Sequence, residues 1–116
     1  MNSIHTESDK MVPAPSIEPL HNGVIHFQDI VDGKGVLIIN PYKDMASGQT
    51  IKWKVYGDGV LFSSIDVTEV KQYTAKMYPQ VFRCPEVTAL YVVELDGEPL
   101  FHSTKVHYKV IGYPSE

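Results

Sequence analysis

Between Thr50 and Tyr56 apolar and polar residues alternate without a break. Ile51, Trp53 and Val55 share one parity, and Lys52 and Lys54 the other. Side chains on a strand point to opposite faces in turn, so this segment predicts a strand with one face buried and one face in water. A strand of that kind needs a second layer to cover its apolar face. The same period recurs along the chain. Tyr73, Ala75 and Met77 alternate with Thr74 and Lys76. Val87, Ala89, Tyr91, Val93 and Leu95 share one parity, and Val106, Tyr108 and Val110 alternate with Lys105, His107 and Lys109. Val36-Leu37-Ile38-Ile39 is apolar throughout and β-branched at three of its positions, which predicts a central strand or one covered on both faces. Val24 to Phe27 and Val60 to Ser63 read as shorter strands, the second at an edge.

Turn chemistry divides these runs. Asp32-Gly33-Lys34-Gly35 and Gly57-Asp58-Gly59 are breaks, and Asp96-Gly97 is a hairpin signal between two strand patterns. Asp66 to Val70 fits either one helical turn, capped by Asp66 with Glu69 three residues on, or a loop. No segment carries sustained helical periodicity. About seven antiparallel strands at even spacing predict an all-β, immunoglobulin-like β-sandwich. Its single domain is expected over residues 11–114. Residues 1–10, polar and aperiodic, are expected to form a disordered tail. The prolines at positions 13, 15 and 19 forbid a helix and favour an extended lead-in that can lie along a sheet edge.

Composition narrows the function. The net charge of −4, with basic residues scattered along the chain, argues against nucleic acid as a partner. The N-terminal residues contain no apolar run for a signal peptide, and no stretch has the length of a membrane span. The expected location is the cytoplasm, or outside the cell by a route needing no such signal. The single cysteine, Cys84, allows no intrachain disulfide and has no histidine near it in sequence. His102 and His107 differ by five positions, which on one strand would put them on opposite faces. Asp29, Asp32 and Asp58 are scattered among turns, where turn preference accounts for them as well as calcium would. No nucleophile, base and stabilising group can be assembled, so no catalytic residue, metal site or cofactor is expected and the chain is read as a non-enzyme.

Four segments from Val12 to Val110 carry a family likeness: Val12 to Ile17, His21 to Ile25, Ile39 to Ile51, and Val87 to Val93 with Ser103 to Val110. The most specific is Pro41-Tyr42-Lys43-Asp44-Met45-Ala46-Ser47-Gly48, a Pro-Tyr-x-x-Met-x-x-Gly element. The chain resembles the bacterial immunoglobulin-like domains repeated in tandem in large Gram-negative surface and adhesin-like proteins. That family carries Asp after the glycine, where this chain has Gln49. The resemblance implies a non-enzymatic binding or adhesion module acting through protein–protein contacts.

Tyr42 and Met45 are large enough to plug one end of a sandwich, while Trp53 and Tyr91 fall on inward parities. These four are expected to be structural. Tyr56 has the outward parity, and in an immunoglobulin-like sandwich the loop from Tyr56 through Phe62 lies near the loop from Tyr78 through Phe82. Tyr56, Phe62 and Tyr78 are therefore the candidate contact patch for a protein partner or a glycan. The competing reading places Phe62 and Phe82 in the core. Two further functions fit the sequence: a carbohydrate-binding domain using loop aromatics, and a small inhibitor or toxin-neutralising protein. Homo-oligomerisation through a sheet edge is a further expectation.

Overall fold

The structure is a computed structural model that describes residues 11–114; the expected N-terminal tail lies outside these residues. The inward parities named above face inward, with the exception of Leu95. From Gln49 to Val55 burial alternates residue by residue, with Ile51, Trp53 and Val55 all in the core. Among the described residues ten strands form two sheets.

In chain order the strands are β1 (Met11–Val12), β2 (Ser16–Glu18), β3 (Ile25–His26), β4 (Val36–Ile39), β5 (Gln49–Gly57), β6 (Gly59–Asp66), β7 (Tyr73–Lys76), β8 (Glu86–Leu95), β9 (Glu98–Ser103) and β10 (Val106–Ile111). The larger sheet is five strand positions wide. β6 is at one edge, paired among the described residues only with β5, and β5 pairs with β8 along nearly its whole length. The other edge of β8 is shared by β9 and β10. β1 and β3 close that side by pairing in parallel with β9 and β10. The smaller sheet has the order β2-β4-β7, so the all-apolar segment Val36–Ile39 is its central strand. One core joins Ile17, Leu37 and Ile39 of this sheet to Ile51, Trp53, Val55, Val87, Ala89, Tyr91 and Val93 of the other. The Tyr108 hydroxyl ties the layers by accepting the Ile17 N–H at 3.3 Å.

Several elements differ from the sequence expectation. The strand expected over Val24–Phe27 is two residues long and passes into a short helix, α1 (Phe27–Val31), which buries Phe27 and Ile30. A five-residue helix spans little more than one turn of about 3.6 residues, too short for the repeating pattern by which amphipathic helices are recognised. A 3-10 turn at Pro79–Phe82 follows β7 and buries Val81 and Phe82. Asp66 ends β6 and caps no helix; Tyr73 organises the following loop, its hydroxyl accepting the N–H groups of Thr68 and Glu69 and donating to the Glu69 carbonyl. Leu95, expected inside, is exposed: it is the last residue of β8, next to the Asp96-Gly97 turn, while the register shift opposite Val93 and Glu94 lies in β9, where Leu100 is the extra residue. Asp96 and Gly97 both take positive φ, as a two-residue hairpin turn requires.

Candidate functional site

The edge strand β6 positions the site. Each residue of β6 pairs in unbroken register with β5, from Gly57 with Gly59 to Thr50 with Asp66. The outward residues Lys52, Lys54 and Tyr56 of β5 therefore stand opposite Ser64, Phe62 and Val60. Nothing pairs with the far side of β6 among the described residues. The smaller sheet is three strands wide against five positions, so β6 overhangs beyond β7. The inward residues Leu61 and Ile65 of β6 are consequently only partly covered.

All three candidate contact residues are exposed. Tyr56 is 43%, Phe62 65% and Tyr78 52% accessible, whereas Phe82 is fully buried. The core alternative thus holds for Phe82 and fails for Phe62. Three shallow hollows surround β6, and Phe62 lines all of them. One, of about 220 Å³, is formed by Lys54, Tyr56, Val60 and Phe62 on the outer face. A second, of about 310 Å³, runs along the rim between β6 and β7 and includes Trp53, Leu61, Ile65, Ala75 and Tyr78. The third, of about 370 Å³, extends along the outer face past Lys52 and Ser64. Tyr56 and Tyr78 do not share a hollow. The candidate patch is two contiguous surfaces that meet at Phe62.

The flanking turn is held firmly. The Asp58 N–H donates to the Val81 carbonyl at 2.9 Å, which seats the β5–β6 turn on the 3-10 turn. Beneath it the Cys84 thiol donates to the carbonyls of Val81 and Glu86 at 3.4 and 3.3 Å. Lys52 pairs with Glu94 at 3.2 Å across the sheet. Lys54, beside Phe62, has no carboxylate within salt-bridge distance among the described residues. The Trp53 indole N–H, behind the rim hollow, is buried without a hydrogen-bond partner among the described residues. Such a group costs about 1–3 kcal/mol.

The four structural residues are all buried: Tyr42, Met45, Trp53 and Tyr91. The Tyr42 hydroxyl donates to Gln49 Oε1 at 2.6 Å, and Gln49 Nε2 donates to the Asp44 carbonyl at 2.9 Å. Burial, and to a lesser extent the neighbouring Tyr73, pushes the Tyr42 phenol up to about 12.

Comparison with family models, curated proteins and solved structures finds no match. The site is therefore argued from its own geometry.

The histidines require a correction. Ser103 and Val106 both face inward, so the Thr104-Lys105 break between β9 and β10 shifts the parity by one. His102 and His107 accordingly share the outer face, opposite Val92 and Thr88. Those partners lie four positions apart on β8, about 13 Å at strand rise, so the two rings do not converge. His21 bonds to Asp29 at 2.9 Å and packs edge-on against His26, with ring centroids 4.7 Å apart. No group of three or more metal-ligating side chains occurs among the described residues.

Sequence reasoning missed the length of β6 and the roles of Val60 and Lys54. A signal was present: both parities of Val60-Leu61-Phe62-Ser63-Ser64-Ile65 mix apolar and polar residues. A strand with neither face fully covered has no reason to separate them.

Proposed function

We propose that this chain is a non-enzymatic, immunoglobulin-like binding module that engages a protein partner through the β6 edge and its flanking aromatics. The observation that carries the reading is the joint exposure of Tyr56, Phe62 and Tyr78 around a strand with one unpaired edge. Exposed aromatics supply large apolar area at low entropic cost, and an open strand edge supplies unpaired backbone donors and acceptors. The strand order β6-β5-β8-β9/β10 over β2-β4-β7 supports the immunoglobulin-like type, as does the buried Trp53 on β5, the strand that follows β4 and opens the facing sheet.

The test is affinity capture from lysate of the source cells. Wild-type bait is compared with a variant carrying Tyr56→Ser, Phe62→Ser and Tyr78→Ser, and with a control carrying Val31→Ser and Val70→Ser, two exposed apolar residues elsewhere. Loss of the captured proteins in the triple variant alone supports the reading. Equal capture by all three baits removes it.

A further inference from the structure

Proteins blunt their sheet edges with short strands, prolines, lysines or bulges. Most edges here follow that rule. β2 is three residues long and flanked by Pro15 and Pro19; β1 and β3 are two residues each; β7 has four residues and an exposed Lys76. β6 has none of these devices. It runs for eight residues, about 27 Å, without proline, lysine or a break in register, and it carries no charge before Asp66.

We infer that β6 pairs antiparallel with β6 of a second copy of this chain, about a two-fold axis at Ser63, to make one continuous sheet. This rests on the binding-module reading and names its partner. The register follows from parity and charge. Directly opposed residues in an antiparallel pair share a face, so a two-fold axis must pass through a residue rather than between two. An axis at Phe62 would set Asp66 opposite Asp58 of the second copy, two like charges in contact. An axis at Ser63 avoids this and sets Asp66 opposite Val60. On the inner face it opposes Leu61 to Ile65, the two inward residues that the smaller sheet leaves partly uncovered. On the outer face it opposes Phe62 to Ser64 and brings the two Phe62 rings to the diagonal position, within reach of aromatic side chains. Lys54 of each copy lies on the next strand inward. The two lysines are then three strand spacings apart, about 14 Å, beyond the screening length of about 8–10 Å.

The interface is small, which implies a dissociation constant on the order of micromolar or weaker. Sedimentation equilibrium of the full chain measures it. A monomer–dimer equilibrium is expected in the wild type. Ser63→Lys places two ammonium groups face to face only when the strand meets itself; Ser63 is exposed, so the substitution leaves the monomer fold intact. It is expected to weaken the dimer at least about tenfold, with an unchanged melting temperature in dilute solution. In a Cys84→Ser background, Ser63→Cys is expected to form a disulfide-linked dimer under mild oxidation, because Cα atoms directly opposed across an antiparallel pair lie within about 5.5 Å. The inference is overturned if the wild type is monomeric at every concentration, if the dimer is indifferent to Ser63→Lys, or if Ser63→Cys does not cross-link. A monomeric wild type whose capture of other proteins still depends on Tyr56, Phe62 and Tyr78 overturns self-pairing and leaves the binding-module reading standing.

Discussion

At the scale of single residues, Tyr42 and Gln49 show how a polar pair can be part of a core. The Tyr42 ring packs against Tyr91 and Phe101, with centroids 6.1 and 5.8 Å away. Its hydroxyl and the buried Gln49 carboxamide satisfy one another. Tyr42→Phe keeps the ring but leaves Gln49 Oε1 buried without its donor, so equilibrium denaturation should find a loss of about 1–3 kcal/mol. Tyr42→Ala removes the ring as well and should cost about 3–5 kcal/mol; an unchanged melting temperature would refute the plug. The same burial makes stability sensitive to alkali. Tyr42 titrates near 12 in the folded chain against 10.0 unperturbed. Burial, and then the nearby Tyr42, raises Tyr91 as well. Between these values the unfolded chain loses protons that the folded chain keeps, so stability falls as pH rises. This contribution is fully present below pH 10 and is lost as pH climbs through 12. Urea titrations from pH 8 to 12 should show that decline, shallower in Tyr42→Phe; equal slopes would exclude Tyr42 as a source.

At the scale of elements, two junctions are built by single small residues. The β9–β10 break removes the backbone partner that the Tyr91 N–H would otherwise have in the ladder. The Ser103 hydroxyl takes its place, accepting that N–H at 2.8 Å and donating to the Thr104 carbonyl. Ser103→Ala strands a buried N–H beneath the sheet and should destabilise the fold by about 1–3 kcal/mol, with Ser103→Thr restoring part of the loss. At the β5–β6 turn, a Cβ on Gly57 would lie 2.2 Å from the Val81 carbonyl oxygen and 2.9 Å from the Cys84 sulfur. Backbone cannot yield as a flexible side chain can. Gly57→Ala should therefore cost at least about 1–3 kcal/mol and release the 3-10 turn. At Gly35 the closest atom is the mobile end of Ile30, and Gly35→Ala should be the milder change in the same melting experiment.

At the scale of the molecule, the governing fact is the mismatch in width between the sheets. β8 is paired on both sides over most of its length and lies over the core, so its amides open only with global unfolding. β6 is paired on one side and overhangs. Hydrogen exchange in dilute solution should find the central β8 amides the slowest and the β6 amides that face away from β5 among the fastest. At high concentration the β6 amides should slow selectively if two copies share that edge. Uniform exchange across β5, β6 and β8 would contradict the overhang itself.

Much of this architecture was legible in residue order. Period-two alternation is a local property of the backbone, so Ile51, Trp53 and Val55, and Val87 through Val93, declared their buried faces without reference to any partner. Asp96-Gly97 declared its turn because few residues tolerate positive φ. The plug at Tyr42 and Met45 was readable from size and position, and the exposure of Tyr56 from its parity. What only the tertiary structure decided depends on how many strands lie opposite. The partial exposure of Leu61 and Ile65 follows from a smaller sheet too narrow to cover β6, and that of Phe62 from a pairing with Lys54 that puts it on the outer face. The common face of His102 and His107 follows from the two-residue Thr104-Lys105 break, whose parity shift shows only against β8, and the exposure of Leu95 from its place at the end of that strand. Periodicity states which side a residue takes relative to its neighbours along the chain; whether anything covers that side is a property of the assembled layers.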